Sequence, residues 1–274
     1  MTVLDRPSAV DPGGHLVTEA LAFAGRRLRH LRRAPARLLG LTLNPVLFLV
    51  VFGHLLNGAL VIPAGTSYQE YLFAGAVVQI GLAGISSAAG AVANDLRGGL
   101  VDRFRSLPVA RPSVLLGQVL ADLAAATLAM VVVTAVGTAL GWRSHTSLLA
   151  TAAGFGIALG FAFVMAWVGV LVGLILGDPE SVGALTPVLV VVLPLLSNAF
   201  VAPAGLPSWL RPVAEWNPLT AVITACRSLW GNAAPPAGGF AGGHPYTAVL
   251  VALGVTLIVT IAATLRRYRM ATIG

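Results

Sequence analysis

Lysine is missing from this sequence altogether, and all 17 basic residues are arginine. A P-loop needs a lysine at its phosphates and a Schiff-base enzyme needs one as nucleophile, so this chain supplies neither chemistry itself. Cysteine is reduced to Cys226, which excludes an internal disulfide and a cysteine-rich metal site. The histidines His15, His30, His54, His145 and His244 are scattered, with no HExxH or clustered ligand spacing. Serine, histidine and aspartate form no nucleophile signature. Charge of either sign is scarce, at 10% of residues, against ~25% in a soluble domain. The N-terminus carries no charged-then-apolar leader and nothing there reads as cleavable.

What fills the chain instead is apolar. Of its 274 residues 57% are hydrophobic, and the mean hydropathy is +0.88. Charge-free runs of about twenty residues recur along it, which is the signature of a polytopic helical membrane protein. Residues 1–14, with Pro7, Pro12, Gly13 and Gly14, read as a mobile tail. Over 15–33, Val17, Leu21, Ala24, Leu28 and Leu31 share one helical face, with Arg26, Arg29, His30 and Arg33 opposite; this is a basic amphipathic helix in the membrane interface. It serves as a positive-inside anchor, as a brace for a partner, or as both. A membrane domain over 36–266 follows, then a cytoplasmic tail, 267–274.

Six spans are expected in that domain, over 38–57, 71–93, 114–140, 148–176, 182–201 and 246–265. The Asn44-Pro45 step should kink the first. Small residues in the second (Gly75, Gly81, Gly84, Ser86, Ser87, Gly90) and fourth (Gly156, Gly160, Gly169, Gly173, Gly177) predict close helix contact. Pro187 and Pro194 should bend the fifth. Trp142 and Arg143 fit an outer interface, and Trp209, Trp216 and Trp230 suit a headgroup-level belt in the outer segment 203–245. Within that segment Asn217-Pro218 reads as a helix cap and first residue.

Arginine placement tests the layout. With both termini inside, fourteen arginines lie on the inner side and only Arg143, Arg211 and Arg227 outside. An odd number of spans would destroy that asymmetry. The expected fold is therefore all-α and polytopic, with six transmembrane helices, N-in and C-in. The net charge of +7 follows from this topology and not from nucleic-acid binding.

Asn94 to Gln118 is the exception to the apolar pattern. Asp95, Arg97, Asp102, Arg103, Arg105 and Arg111 cluster there, while Leu96, Leu100, Phe104 and Leu107 share a helical face. Gly98 and Gly99 loosen its start and Pro108 and Pro112 end it. It is either an ordinary solvated loop or a docking element for a soluble partner. Inside the spans, Asp122 is the one well-buried carboxylate. Such an acid is costly in lipid, and serves either function or a hydrogen bond or arginine pair within the bundle. His54, Gln79 and Asn198 read first as helix–helix hydrogen bonds.

The segment Val101-Asp102-Arg103-Phe104-Arg105-Ser106-Leu107-Pro108, running on to Leu115-Leu116-Gly117, resembles the signature loop of ABC-2 type permeases. The daunorubicin-resistance permeases are the nearest group. A second stretch is similar too: Ser197-Asn198-Ala199-Phe200-Val201, through Pro207-Ser208-Trp209-Leu210, to Asn217-Pro218-Leu219-Thr220. The resemblance implies a type V exporter-like fold and a permease that is not an enzyme. It pairs with a second permease copy, as homodimer or heterodimer, and binds two copies of a separate ABC ATPase that carries the ATP and Mg. It assigns 94–110 to a coupling-helix loop, with Asp95, Arg97, Leu100, Asp102, Arg103, Phe104, Arg105 and Leu107 as ATPase contacts. It makes 15–33 the connecting helix, with Arg26, Arg29 and Arg33, and 206–230 an extracellular re-entrant helix pair. Spans 2 and 5 would line the dimer seam and route, and Gln79, Pro187, Pro194 and Asn198 on them, with the intramembrane Asp122 of span 3, are the pathway or structural candidates. The cargo would be a hydrophobic drug, antibiotic or other secondary metabolite exported across a bacterial plasma membrane, or alternatively a lipid, glycolipid or polysaccharide. Two readings outside the family stay open: a proton-coupled secondary transporter using Asp122, and a non-transporting membrane scaffold.

Overall fold

The computed structural model describes residues 35–55, 67–98, 111–200, 207–232 and 243–270. Among them every regular element is helical. Helix α1 (Pro35–Leu47) runs on through a π-helical turn (Phe48–Phe52) and a last turn (Gly53–Leu55). Then come α2 (Tyr68–Arg97), α3 (Arg111–Ala139), α4 (Leu148–Leu176), α5 (Pro179–Leu195), α6 (Arg211–Trp216), α7 (Pro218–Trp230) and α8 (Pro245–Met270). Four are long and apolar enough to cross a membrane: α2, α4, Leu115–Ala139 of α3 and Pro245–Arg267 of α8. Leu39–Leu55 and Pro179–Leu195 are apolar but shorter. The amphipathic stretch 15–33, with Arg26, Arg29 and Arg33, and the loop from Gly99 through Leu107 lie outside the described residues.

Helix α2 is the axis of the bundle. Its contact with α4 is the most extensive between any two elements, and it also meets α1, α3, α5 and α7. The reason lies in missing side chains. A Cβ on Gly169 would stand 2.6 Å from the Ile85 carbonyl oxygen, and one on Gly173 2.6 Å from that of Ala89. The two backbones thus touch along one stripe. On α2, a Cβ at Gly81 would enter the Phe161 ring at 2.6 Å.

Local signals set the ends. Ser67 and Glu70 form a reciprocal capping box at the start of α2, and Ser147 caps α4. Gly177 ends α4 with φ +65, a left-handed conformation that suits glycine, and Asp178 at once caps α5 with Pro179 following. The Ser181 amide holds the Asp178 carboxyl below the usual carboxylate range. Asn217 caps α7 and Gly231 (φ +69) closes it. One end of the bundle gathers the starts of α2 and α4 with the end of α7: His145 Nε2 lies 2.8 Å from Glu70 Oε1, and the His145 amide donates to the Trp230 carbonyl. The other end brings Arg97 of α2 within 3.9 Å of Asp178.

Several expectations are corrected. Helix α2 continues to Arg97, so Asp95 and Arg97 ride on its last turn and are not part of a separate helix beginning at 94; the break comes at Gly98. Helix α5 stops at Leu195, short of 201, because side chains of Ser197 and Asn217 take over its terminal carbonyls. Gly156 and Gly160 face open space and are not part of the packing stripe; Gly154 instead packs on α7, where a Cβ would run into Trp230 Nε1. Trp142 and Trp230 are not interfacial. They are buried with Phe73 and Phe155 in one aromatic cluster, Phe73 stacking on Trp142 at 4.0 Å. Trp209 and Trp216 remain exposed. In α1 the distortion falls just past Pro45, as a π-helical turn.

The packing stripe yields a contrast of variants. Gly173→Val presses a branched side chain against backbone and should cost about 1–3 kcal/mol or more. Gly160→Ala, into open space, should stay within about 1 kcal/mol of wild type. Melting of the detergent-purified protein checks the difference; equal melting temperatures would contradict the stripe.

Candidate transport cleft

Along its first half α2 is buried on all sides; from Ala83 onward one face opens. Ala83, Ser86, Ser87, Gly90, Ala91 and Asn94 recur at helical spacing on that face, while Ile85, Ala88, Ala89, Val92 and Ala93 stay buried against neighbouring helices. The open face forms one wall of a cleft of about 730 Å³. Helix α1 supplies a second wall through Gly40, Leu41, Asn44 and Pro45, and α5 a third through Pro187, Val190 and Val191. Gln79 closes the top, where its Oε1 accepts from Asn44 Nδ2 at 3.4 Å. Among the described residues the lining mixes amides and hydroxyls with small and apolar groups and holds no ionisable side chain. Gln79 and Pro187, put forward from sequence, both line it.

Asp122 does not. It stands behind the α2 wall, 6% exposed, accepting from Gln118 Nε2 at 2.6 Å and from the Ser87 hydroxyl at 3.1 Å. Gln118 shares its helix, α3, and Ser87 belongs to α2. The carboxylate therefore brackets two helices at the edge of the cleft. Pro194 is buried, and Asn198 belongs to a different cluster.

That cluster is where the chain leaves α5. Asn198 donates from its backbone amide to Thr220 Oγ1 and from its side chain to Thr224 Oγ1, both on α7. Asn217 donates to the Leu193 and Leu196 carbonyls while its own oxygen caps α7. Asn198, Asn217 and Thr220, all from the stretch Ser197 to Thr220, thus gather with Thr224 where α5 ends and α7 begins. Next to them sits Arg227, 3% exposed, which the sequence placed on the outer side in the helical segment 206–230. Its guanidinium donates to the Tyr71 carbonyl from Nε (3.0 Å) and Nη2 (2.8 Å), reaches the Ala199 carbonyl at 3.1 Å and lies 3.5 Å over the Tyr71 ring. The amphipathic form of α7, with Arg227 three residues before Trp230, was the available signal.

Comparison with known proteins decides the family. The profile described as "ABC-2 type transporter" matches residues 18–230. The chain belongs to the ABC-2 type transporter family. A daunorubicin resistance ABC transporter permease, DrrB1 of Streptomyces coeruleorubidus, is 27% identical over 213 residues, covering 78% of this chain and 75% of the relative. Putative transport permeases named ycf38, from Porphyra purpurea and Pyropia yezoensis, are 27% identical over 225 residues, covering 79% of this chain and 75% of theirs. Helices of crossing length and these relatives together make the chain a multi-pass membrane permease of that family.

The bracket at Asp122 is testable. Asp122→Ala removes the acceptor of the Gln118 amide and of the Ser87 hydroxyl bond and should cost about 1–3 kcal/mol. Asp122→Asn keeps one acceptor and should cost less. An unchanged melting temperature in the alanine variant would remove the bracing role.

Proposed function

We propose that this chain is the membrane subunit of an ATP-binding-cassette exporter that moves a hydrophobic compound, such as a drug, antibiotic or other secondary metabolite, out of a bacterial cell. The observation that carries the reading is the cleft between α1, α2 and α5 in a member of the ABC-2 family. Its volume suits a drug-sized molecule, and its lining offers hydrogen bonds without a fixed charge among the described residues. The resistance permease of Streptomyces coeruleorubidus favours a drug as cargo over a lipid or glycan.

In this reading α1 and α5 also cross the membrane, which makes six spans with both termini inside. The short α1 and α5 would cross where neighbouring helices and a second permease copy cover their ends. The Trp230 end then faces outward, α6 and α7 forming the outer helix pair, and the Asp178 end faces the cytoplasm. A sequence without lysine supplies no P-loop, so energy comes from two copies of a separate ABC ATPase, which hold ATP and Mg. Those subunits would grip 94–107 beside the connecting helix 15–33. Arg97, at the foot of α2, would pass that motion into the wall of the cleft. A proton-coupled mechanism has less support, since Asp122 stands outside the lining, engaged by Gln118 and Ser87.

Phe104→Ala or Arg105→Glu should abolish export while leaving the protein in the membrane. The measurement is co-purification with the ATPase encoded beside it, together with daunorubicin-stimulated ATP hydrolysis in vesicles. Wild-type values for both in these variants would defeat the coupling role.

A further inference from the structure

Just past α5 the backbone is not helical, and it presents three consecutive carbonyls. Each is met by a different side chain. The Tyr71 hydroxyl donates to Asn198 at 3.0 Å, Arg227 Nη2 to Ala199 at 3.1 Å, and the Tyr68 hydroxyl to Phe200 at 3.3 Å. Two of the donors stand on the first turns of α2 and the third on α7. Gly75 lets the segment come this close, because a Cβ there would lie 2.7 Å from the Ala199 oxygen. Helices α2 and α5 are also facing walls of the cleft. Their ends are therefore joined, at the Trp230 end, by polar bonds to backbone beside the stack of Phe200 on Phe48 and Phe52. Among the described residues no carboxylate stands against the guanidinium of Arg227; its charge is met by two carbonyls and one aromatic ring.

We propose that Arg227 is a positioning residue for transport: it clasps the end of α5 to α2, keeps the outward end of the cleft shut at rest, and must let go for cargo to leave. Carbonyl partners suit that task. A guanidinium that left them can be solvated by water entering the opening end, and it abandons no buried counter-charge. The inference rests on the orientation given above, with the Trp230 end outward.

The test uses the full transporter, with its ATPase, in intact cells. Ala83→Cys places a thiol in the cleft, and a membrane-impermeant maleimide is added outside. The wild-type chain, whose one cysteine (Cys226) is buried, gives the baseline. Arg227→Gln should raise the labelling rate of Ala83→Cys at least about tenfold without drug, and Arg227→Lys, which keeps charge but loses the fork, should fall between. Tyr71→Phe, which removes one hydroxyl, covers the case in which Arg227→Gln fails to reach the membrane, and should shift labelling the same way by less. Labelling unmoved by Arg227→Gln and Tyr71→Phe would overturn the clasp. Labelling that responds to both variants, in a transporter whose wild type shows no daunorubicin-stimulated hydrolysis, would uphold the clasp and reject the drug-export reading instead.

Discussion

A chain that leaves helical geometry inside an apolar bundle has to find partners for its carbonyls, because lipid offers none. That constraint organises one end of this molecule. Past Leu195 the backbone turns, and the side chains of Ser197, Asn217, Tyr71, Arg227 and Tyr68 take up its oxygens in sequence. An unpaired buried carbonyl costs about 1–3 kcal/mol, so the turn is stable only while α2 and α7 stay against it. Asn198 binds the turn to α7 and Phe200 stacks on Phe48 of α1 at 4.5 Å. Four helices are thereby fixed by one short segment.

The same helix that supplies two of those donors also forms the wall of the cleft. Helix α2 changes character along its length. Near the turn its large residues, Tyr68, Tyr71, Leu72 and Phe73, are buried all round; farther along, glycine, alanine and serine replace them on one face. Small residues do two things at once here. On the side toward α4 they bring backbones into contact, and on the side toward α1 and α5 they leave space. Gly81 and Gly90 illustrate the split: a Cβ at the first would strike Phe161, and at the second would meet nothing within 4 Å.

How far this was legible in the sequence depended on the signal involved. Long apolar runs, the Ser67–Glu70 box and the Asn217-Pro218 cap are local, and local patterns translate directly into helices and their ends. The glycine pattern showed that α4 packs tightly but not which of its glycine runs meets α2: thirteen residues at ~100° each put Gly156 and Gly169 on different faces, and only the fold shows which face is used. The burial of Trp230 and Arg227 went unread for a related reason. An aromatic or an arginine near the end of a span is usually interfacial, and only the tertiary fold of α7 into the bundle places them inside. Gln79 and Pro187, which line the cleft, could be singled out in sequence as pathway or structural candidates because polar and bent positions in a span need a reason. Asn44, Ser86 and Asn94 could not, being indistinguishable in sequence from ordinary packing residues.

The two ends of the bundle are held by different kinds of contact among the described residues. At the Asp178 end α2 and α5 meet through Val182 buried against Ala89 and Ala93, to which the exposed pair Arg97–Asp178, 3.9 Å apart, adds about 0–1 kcal/mol. At the Trp230 end the ties are buried, several, and partly charge-assisted. Sliding apolar contacts thus hold one end and directional bonds to backbone the other, and in the proposed exporter it is the directional bonds that outward opening would have to break.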